Sequence, residues 1–130
     1  MLIEAASQRV YLACGATDMR KSIDGLAGVV QEVFALDPCS DAWFVFCNKG
    51  RDKLKLLRWD HNGFWLYYRR LERGRFQWPK ANDENTPSGE STPSGESAQQ
   101  VSRRELMWLL DGLSLEQRRA HPAVTGKRIA

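Results

Sequence analysis

Long apolar runs are missing from this sequence, and that absence sets the first boundary. No hydrophobic stretch approaches the roughly 20 residues that a membrane-spanning helix needs. The opening residues, MLIEAASQRVYL, lack a basic segment followed by an apolar one, so no secretory signal is expected. Cysteine is scarce: Cys14, Cys39 and Cys47 are odd in number and never form a Cys-x-x-Cys pair. Such usage suits a reduced, cytoplasmic compartment better than a disulfide framework. Histidine is scarcer still. His61 and His121 have no Cys, Asp or Glu at ligand spacing beside them, so neither a metal nor a cofactor is expected.

Catalytic signatures are absent too. No Gly-x-Ser-x-Gly elbow, Walker loop or dinucleotide fingerprint occurs. Asp52 and Asp60 flank one strand-like stretch, and paired carboxylates can hold Mg²⁺, but strand-end turns explain both better. Cys14 and Cys47 read as buried strand thiols, because no histidine is placed to activate them. The chain therefore reads as a non-enzyme.

What is present is positive charge in one block. The 130 residues suffice for one domain with a core, and their net charge is only +3. That total conceals a split. Residues 49–80 carry ten Lys/Arg against three Asp/Glu, whereas residues 1–48 carry three against six. Residues 81–100 hold four acids and no base. A charge asymmetry this local points to an anionic partner.

Hydrophobic periodicity predicts an α+β fold: an antiparallel β-meander of four to five strands packed against an N-terminal helix, with one or two short C-terminal helices. Val10–Cys14 reads as a strand. Met19, Ile23, Leu26, Val30, Val33 and Phe34 share one helical face, predicting an amphipathic helix over 18–35 that Thr17 or Asp18 caps and Pro38 closes. Trp43–Cys47 is apolar throughout, as a central strand would be. Lys53–Trp59, Phe64–Arg70 and Arg75–Trp78 follow, joined by the glycine-bearing turns NKGR, DHNG and ERG. Residues 1–80 thus form a core domain.

Residues 81–100 differ in kind. They contain TPSGES twice in tandem and almost nothing to bury, so a flexible acidic linker is expected. Beyond it, residues 101–122 form a helical segment expected to pack on the core. Ser102 and Glu105 make a capping box, with Val101 and Leu106 spaced as a hydrophobic staple. Gly112 ends the first helix, Ser114 starts a short second one, and residues 123–130 are a frayed tail.

The stretch RDKLKLLRWDHNGFWLYYRRLERGRFQW interleaves cations with rings. Alternation along a strand puts Phe64, Leu66 and Tyr68 on one face and Trp65, Tyr67 and Arg69 on the other. With one face against the helix, Trp65, Tyr67 and Arg69 are expected on an open face beside Lys53, Lys55 and Arg75. Cations there would displace counterions from phosphates, and rings would stack on unpaired bases. The expected DNA-binding set is Arg51, Lys53, Lys55, Arg58, Trp65, Tyr67, Arg69, Arg70, Arg73 and Arg75. A competing expectation is a covered aromatic face with only a basic rim. A separate protein-interaction set, Leu106, Trp108, Leu109 and Leu113, lies on the C-terminal helical segment, where Trp108 stands off the main apolar stripe.

Three blocks together carry a resemblance: VYLACGATDMRKSIDGLAGVVQEVF, FVFCNKGRDKLKLLRWDHNGFWLYYRRLERGRFQWP and SRRELMWLLDGLSLEQ. In these the chain resembles the TnpB accessory proteins of the insertion sequence 66 family of bacterial transposons. The resemblance covers nearly everything except the repeat-bearing linker. It implies a non-catalytic accessory protein for transposition, acting beside the element's transposase. Expected partners are DNA at the element ends, that transposase and a second copy of the chain. The alternative is an adaptor that docks transposase or itself without touching DNA. An RNA-guided nuclease sharing the TnpB label is excluded by length and by the lack of zinc-ribbon cysteines.

Overall fold

The computed structural model describes residues 9–81 and 97–115. Five strands form one sheet: β1 (Val10–Cys14), β2 (Trp43–Cys47), β3 (Lys53–Asp60), β4 (Gly63–Arg70) and β5 (Ser97–Val101). Their order is β4-β3-β2-β1-β5, so the apolar β2 is central as expected. With two helices added, the α+β class holds.

The sheet is mixed and not a pure antiparallel meander. β2–β3, β3–β4 and β1–β5 pair antiparallel, whereas β1 and β2 run parallel, with Val10 opposite Trp43 and Leu12 opposite Val45. The reason is the connection. Residues 15–42 include a helix, and such a crossover returns the chain in its original direction.

The fifth strand is also not the expected one. Arg75–Trp78 joins no ladder; its alternation reflects an extended segment that buries Phe76 and Trp78 against the sheet. β5 comes instead from Ser97–Val101, so its first four residues, placed in the linker from sequence, add to the free edge of β1.

The first helix, α1, spans Ile23–Gly28 and runs on as a π-helical turn over Val29–Val33. It starts later than residue 18 because Asp18 makes a turn of its own. Its carboxylate accepts the Arg20 amide at 2.9 Å, and its carbonyl accepts the Lys21 amide at 3.1 Å. The helix stops before Pro38: Ala35 turns left-handed (φ 56°), and the Leu36 amide donates to the Val30 carbonyl at 3.0 Å.

Two cores flank the sheet. On one face Leu26 and Val30 of α1 meet Ala13, Phe44, Phe46 and Leu57. On the other face the second helix, α2 (Arg103–Leu110), places Leu106 and Leu109 against Val10, Leu12, Val45, Phe76 and Trp78. The capping box forms as expected. Ser102 Oγ accepts the Glu105 amide at 3.0 Å, and Glu105 accepts the Ser102 amide at 2.8 Å. Gly112 follows with φ 85°. The TPSGES repeat up to residue 96, the second C-terminal helix beyond residue 115 and the tail lie outside the described residues.

Candidate nucleic-acid interface

Register decides which side chains share a face. Across β3 and β4, Leu54 opposes Arg69, Leu56 opposes Tyr67 and Arg58 opposes Trp65. Lys53 opposes Arg70 and Lys55 opposes Tyr68 on the other side. Lys53 and Lys55 therefore do not stand beside Trp65 and Tyr67, as alternation had led us to expect. They face the α1 side, where Lys55 Nζ donates to the carbonyls of Met19 and Lys21, each at 2.8 Å. Lys53 leans on Asp52 at 3.6 Å. Both amines are engaged within the chain.

The aromatic face survives at the sheet edge. β4 is the outermost strand, and α2, although on this same face, packs over Val10, Leu12 and Val45 of β1 and β2, so Trp65 and Tyr67 remain 53% and 46% exposed. Their rings stack at 6.1 Å with a 14° interplanar angle. Trp65 Nε1 donates to Asp60 Oδ2 at 3.1 Å, which fixes the indole. Arg58 lies between Trp43 and Trp65 in the pairing, half-buried, and donates to the Tyr67 hydroxyl at 3.4 Å. It braces the rings more than it faces solvent.

The remaining cations gather at one end of the sheet. The β2–β3 turn (residues 49–53) and the chain leaving β4 (residues 69–80) hold eight Lys/Arg against two acids. Backbone bonds tie these segments together: the Leu71 amide donates to the Asp52 carbonyl at 2.8 Å, and the Phe76 amide to the Arg51 carbonyl at 2.7 Å. Asn48 organises the turn by accepting the amides of Asp52 and Lys53, each at 3.0 Å, and donating to Asp52 Oδ1 at 2.8 Å. That last bond holds the Asp52 carboxyl below its usual range. Arg70 is paired with Glu72 at 3.0 Å. Arg51, Arg69, Arg73 and Arg75 are exposed and meet no carboxylate among the described residues.

Residues 8–120 match the family model described as IS66 Orf2-like protein. The chain belongs to the IS66 Orf2-like family. Curated relatives from Sinorhizobium fredii (strain NBRC 101917 / NGR234) include two uncharacterized proteins. One, y4hO, is 43% identical over 81 residues, covering 62% of this chain and 70% of that protein. The other, y4jC, is 33% identical over 75 residues, covering 58% of this chain and 64% of that protein. No solved structure matches the chain. Membership ties this IS66 Orf2-like protein to an insertion sequence.

Other expected sites resolve differently in this family member. Leu106 and Leu109 belong to the core and cannot meet a partner. Trp108 is half-buried beneath the Arg104 guanidinium at 5.4 Å, while Leu113 and the unforeseen Met107 are exposed. Asp52 and Asp60 lie at opposite ends of the eight-residue β3 and cannot share a cation. Among the described residues no cluster of His, Cys, Asp and Glu could hold a metal, and no helix is long and apolar enough to cross a membrane. Burial pushes the Cys47 thiol up to about 12 and raises Cys14 as well. Sequence reasoning missed Lys49 and Lys80, which share a cleft with Arg51. Their positions just outside strands were the available signal.

Proposed function

We propose that this IS66 Orf2-like protein is a non-catalytic, cytoplasmic accessory factor for transposition that binds DNA at the ends of its element and works beside the transposase. The basic end of the sheet meets the phosphates, and the Trp65–Tyr67 stack offers a platform for unpaired bases. One observation carries this reading: Arg51, Arg69, Arg73 and Arg75 are exposed together without carboxylate partners among the described residues. Cations presented this way release counterions from a polyanion instead of stabilising the fold. An electrophoretic shift with terminal-repeat DNA, with and without transposase, tests it. Retardation that weakens as salt rises supports it, and no retardation at low salt refutes it.

The adaptor reading keeps one observation. Met107 and Leu113 are 52% and 44% exposed around the half-buried Trp108, an apolar patch at the end of α2. Co-purification with transposase after nuclease treatment, lost in Trp108→Ala, would favour docking through that patch over bridging by DNA.

A further inference from the structure

A cleft opens where β1 and β2 end. Because these two strands run parallel, both deliver their following loops to the same end of the sheet. The loops touch: the Thr17 amide donates to the Cys47 carbonyl at 2.8 Å. The chain returning from β4 closes a third side. Trp78 Nε1 donates to the Ala13 carbonyl at 2.8 Å, and the Gly15 amide donates to the Pro79 carbonyl at 2.9 Å. The cleft is open to solvent and has a volume of about 370 Å³. Open α/β sheets take their ligands in the crevice outside the carboxyl ends of parallel strands, and here one parallel pair creates such a crevice.

The lining suits an anion. Lys49, Arg51 and Lys80 are exposed in it and meet no carboxylate among the described residues. Asp52, the acid of the adjacent turn, is held by Asn48 and Lys53 and does not line the cleft. Trp78, only 7% exposed, is a fixed apolar wall. Gly15 keeps φ 80°, and a Cβ there would meet the Ala81 Cβ at 3.2 Å, so this part of the lining must stay bare. Arg51 itself holds φ 61°, a backbone that Gly or Asn adopts more cheaply.

Size and charge narrow the ligand. The volume falls at the lower end of small-molecule sites, about 300–1,000 Å³. A duplex, whose major groove alone is about 12 Å wide, cannot enter; a single nucleotide can. Three cations far exceed the single charge of a phosphodiester and come closer to a terminal phosphate, which carries about −1.5 to −2 at neutral pH.

We propose that the cleft binds the terminal phosphate of one nucleotide, with Lys49, Arg51 and Lys80 as the clamp and Trp78 as the wall. The phosphate belongs to a free mononucleotide or to a phosphorylated strand end; the chemistry is shared. The site stands on its own geometry and does not require that the rest of the basic end binds DNA.

Calorimetric titration of the full chain with thymidine 5′-monophosphate, thymidine, and single-stranded oligonucleotides with and without a 5′-phosphate tests the assignment. The monophosphate saturates the site, and thymidine binds roughly tenfold or more weakly, as loss of charge-assisted bonds requires. Arg51→Gly and Lys80→Ala each weaken the monophosphate by a similar factor while their melting temperatures hold. An oligonucleotide that gains from its 5′-phosphate identifies a strand end as the source. A gain confined to the mononucleotide identifies a free nucleotide. Equal binding of thymidine and its monophosphate, or wild-type affinity in folded Lys80→Ala, overturns the proposal. Arg69→Ala with Arg73→Ala lies outside the cleft and leaves monophosphate binding unchanged. Failure of the wild-type chain to bind element-end DNA, with nucleotide binding intact, would therefore sink the DNA reading alone.

Discussion

Arg51 holds a left-handed backbone (φ 61°) while its carbonyl accepts the Phe76 amide at 2.7 Å. This bond fastens the β2–β3 turn to the chain leaving β4, and so assembles the basic end from two distant segments. It also separates backbone from side chain as contributors. Arg51→Gly removes the cation yet relieves a left-handed residue of about 1–2 kcal/mol. The variant should melt at or above the wild-type temperature and bind anions more weakly. A drop in melting temperature would show that the arginine side chain holds the turn.

Phe76 and Trp78 carry the other half of that assembly. Both are buried in the core beneath α2, although neither lies in a strand. Phe76→Ala should lower unfolding free energy by about 3–5 kcal/mol in denaturant titration. Trp78→Phe, which leaves the Ala13 carbonyl without the indole donor, should cost about 1–3 kcal/mol. Smaller losses would mean that the segment is only loosely attached.

Trp65 is 53% exposed and lies outside both cores. Trp65→Ala should leave thermal stability nearly unchanged and weaken binding to an unpaired oligonucleotide by about 1–3 kcal/mol per stacked base. Fluorescence titration of single-stranded and duplex forms reads both effects. Equal loss on both forms would assign the ring to packing and not to bases.

The three thiols should react in two classes. Cys39 is exposed, whereas Cys14 and Cys47 are buried. Native protein should therefore incorporate one alkylating label, and unfolded protein three. Burial also sets a pH dependence. The folded Cys47 pKa of about 12 exceeds the unfolded value of 9.0, so the native state binds that proton more tightly. Stability from this group is undiminished below about 9 and declines as pH rises from there toward about 12. Cys47→Ser should flatten that alkaline decline in thermal melts.

Much of the fold was legible in hydrophobic period. Expected strands at Val10–Cys14 and Trp43–Cys47 coincide with β1 and β2, and β3 and β4 each run one residue beyond expectation. What was missed has physical causes. Ser97–Val101 is polar and weakly β-prone, and only the unpaired edge of β1 makes it a strand. Arg75–Trp78 alternates as a strand does, because an extended segment lying on a sheet buries every second residue in the same way. The parallel pairing was readable from a strand-helix-strand order but was not drawn.

The site was half legible. Composition located the cations in residues 49–80, yet not their arrangement at one end of the sheet. Lys55 was assigned to DNA because sequence cannot reveal that its amine caps the carbonyls of Met19 and Lys21. Lys49 and Lys80 escaped because their cleft exists only once three separate loops meet.

The central claim is that the basic end of the sheet, and not net charge, grips the polyanion. Salt titration of element-end duplex binding tests it most directly, comparing wild type, the triple variant Arg69→Ala, Arg73→Ala, Arg75→Ala, and a control with Arg9→Ala, Lys21→Ala, Arg104→Ala. Both variants lose the same formal charge. Each phosphate contact contributes about 0.9 to the slope of log affinity against log salt, so the first variant should flatten that slope by about 2–3. The control should match wild type. Equal flattening in both, or none in either, would contradict the account.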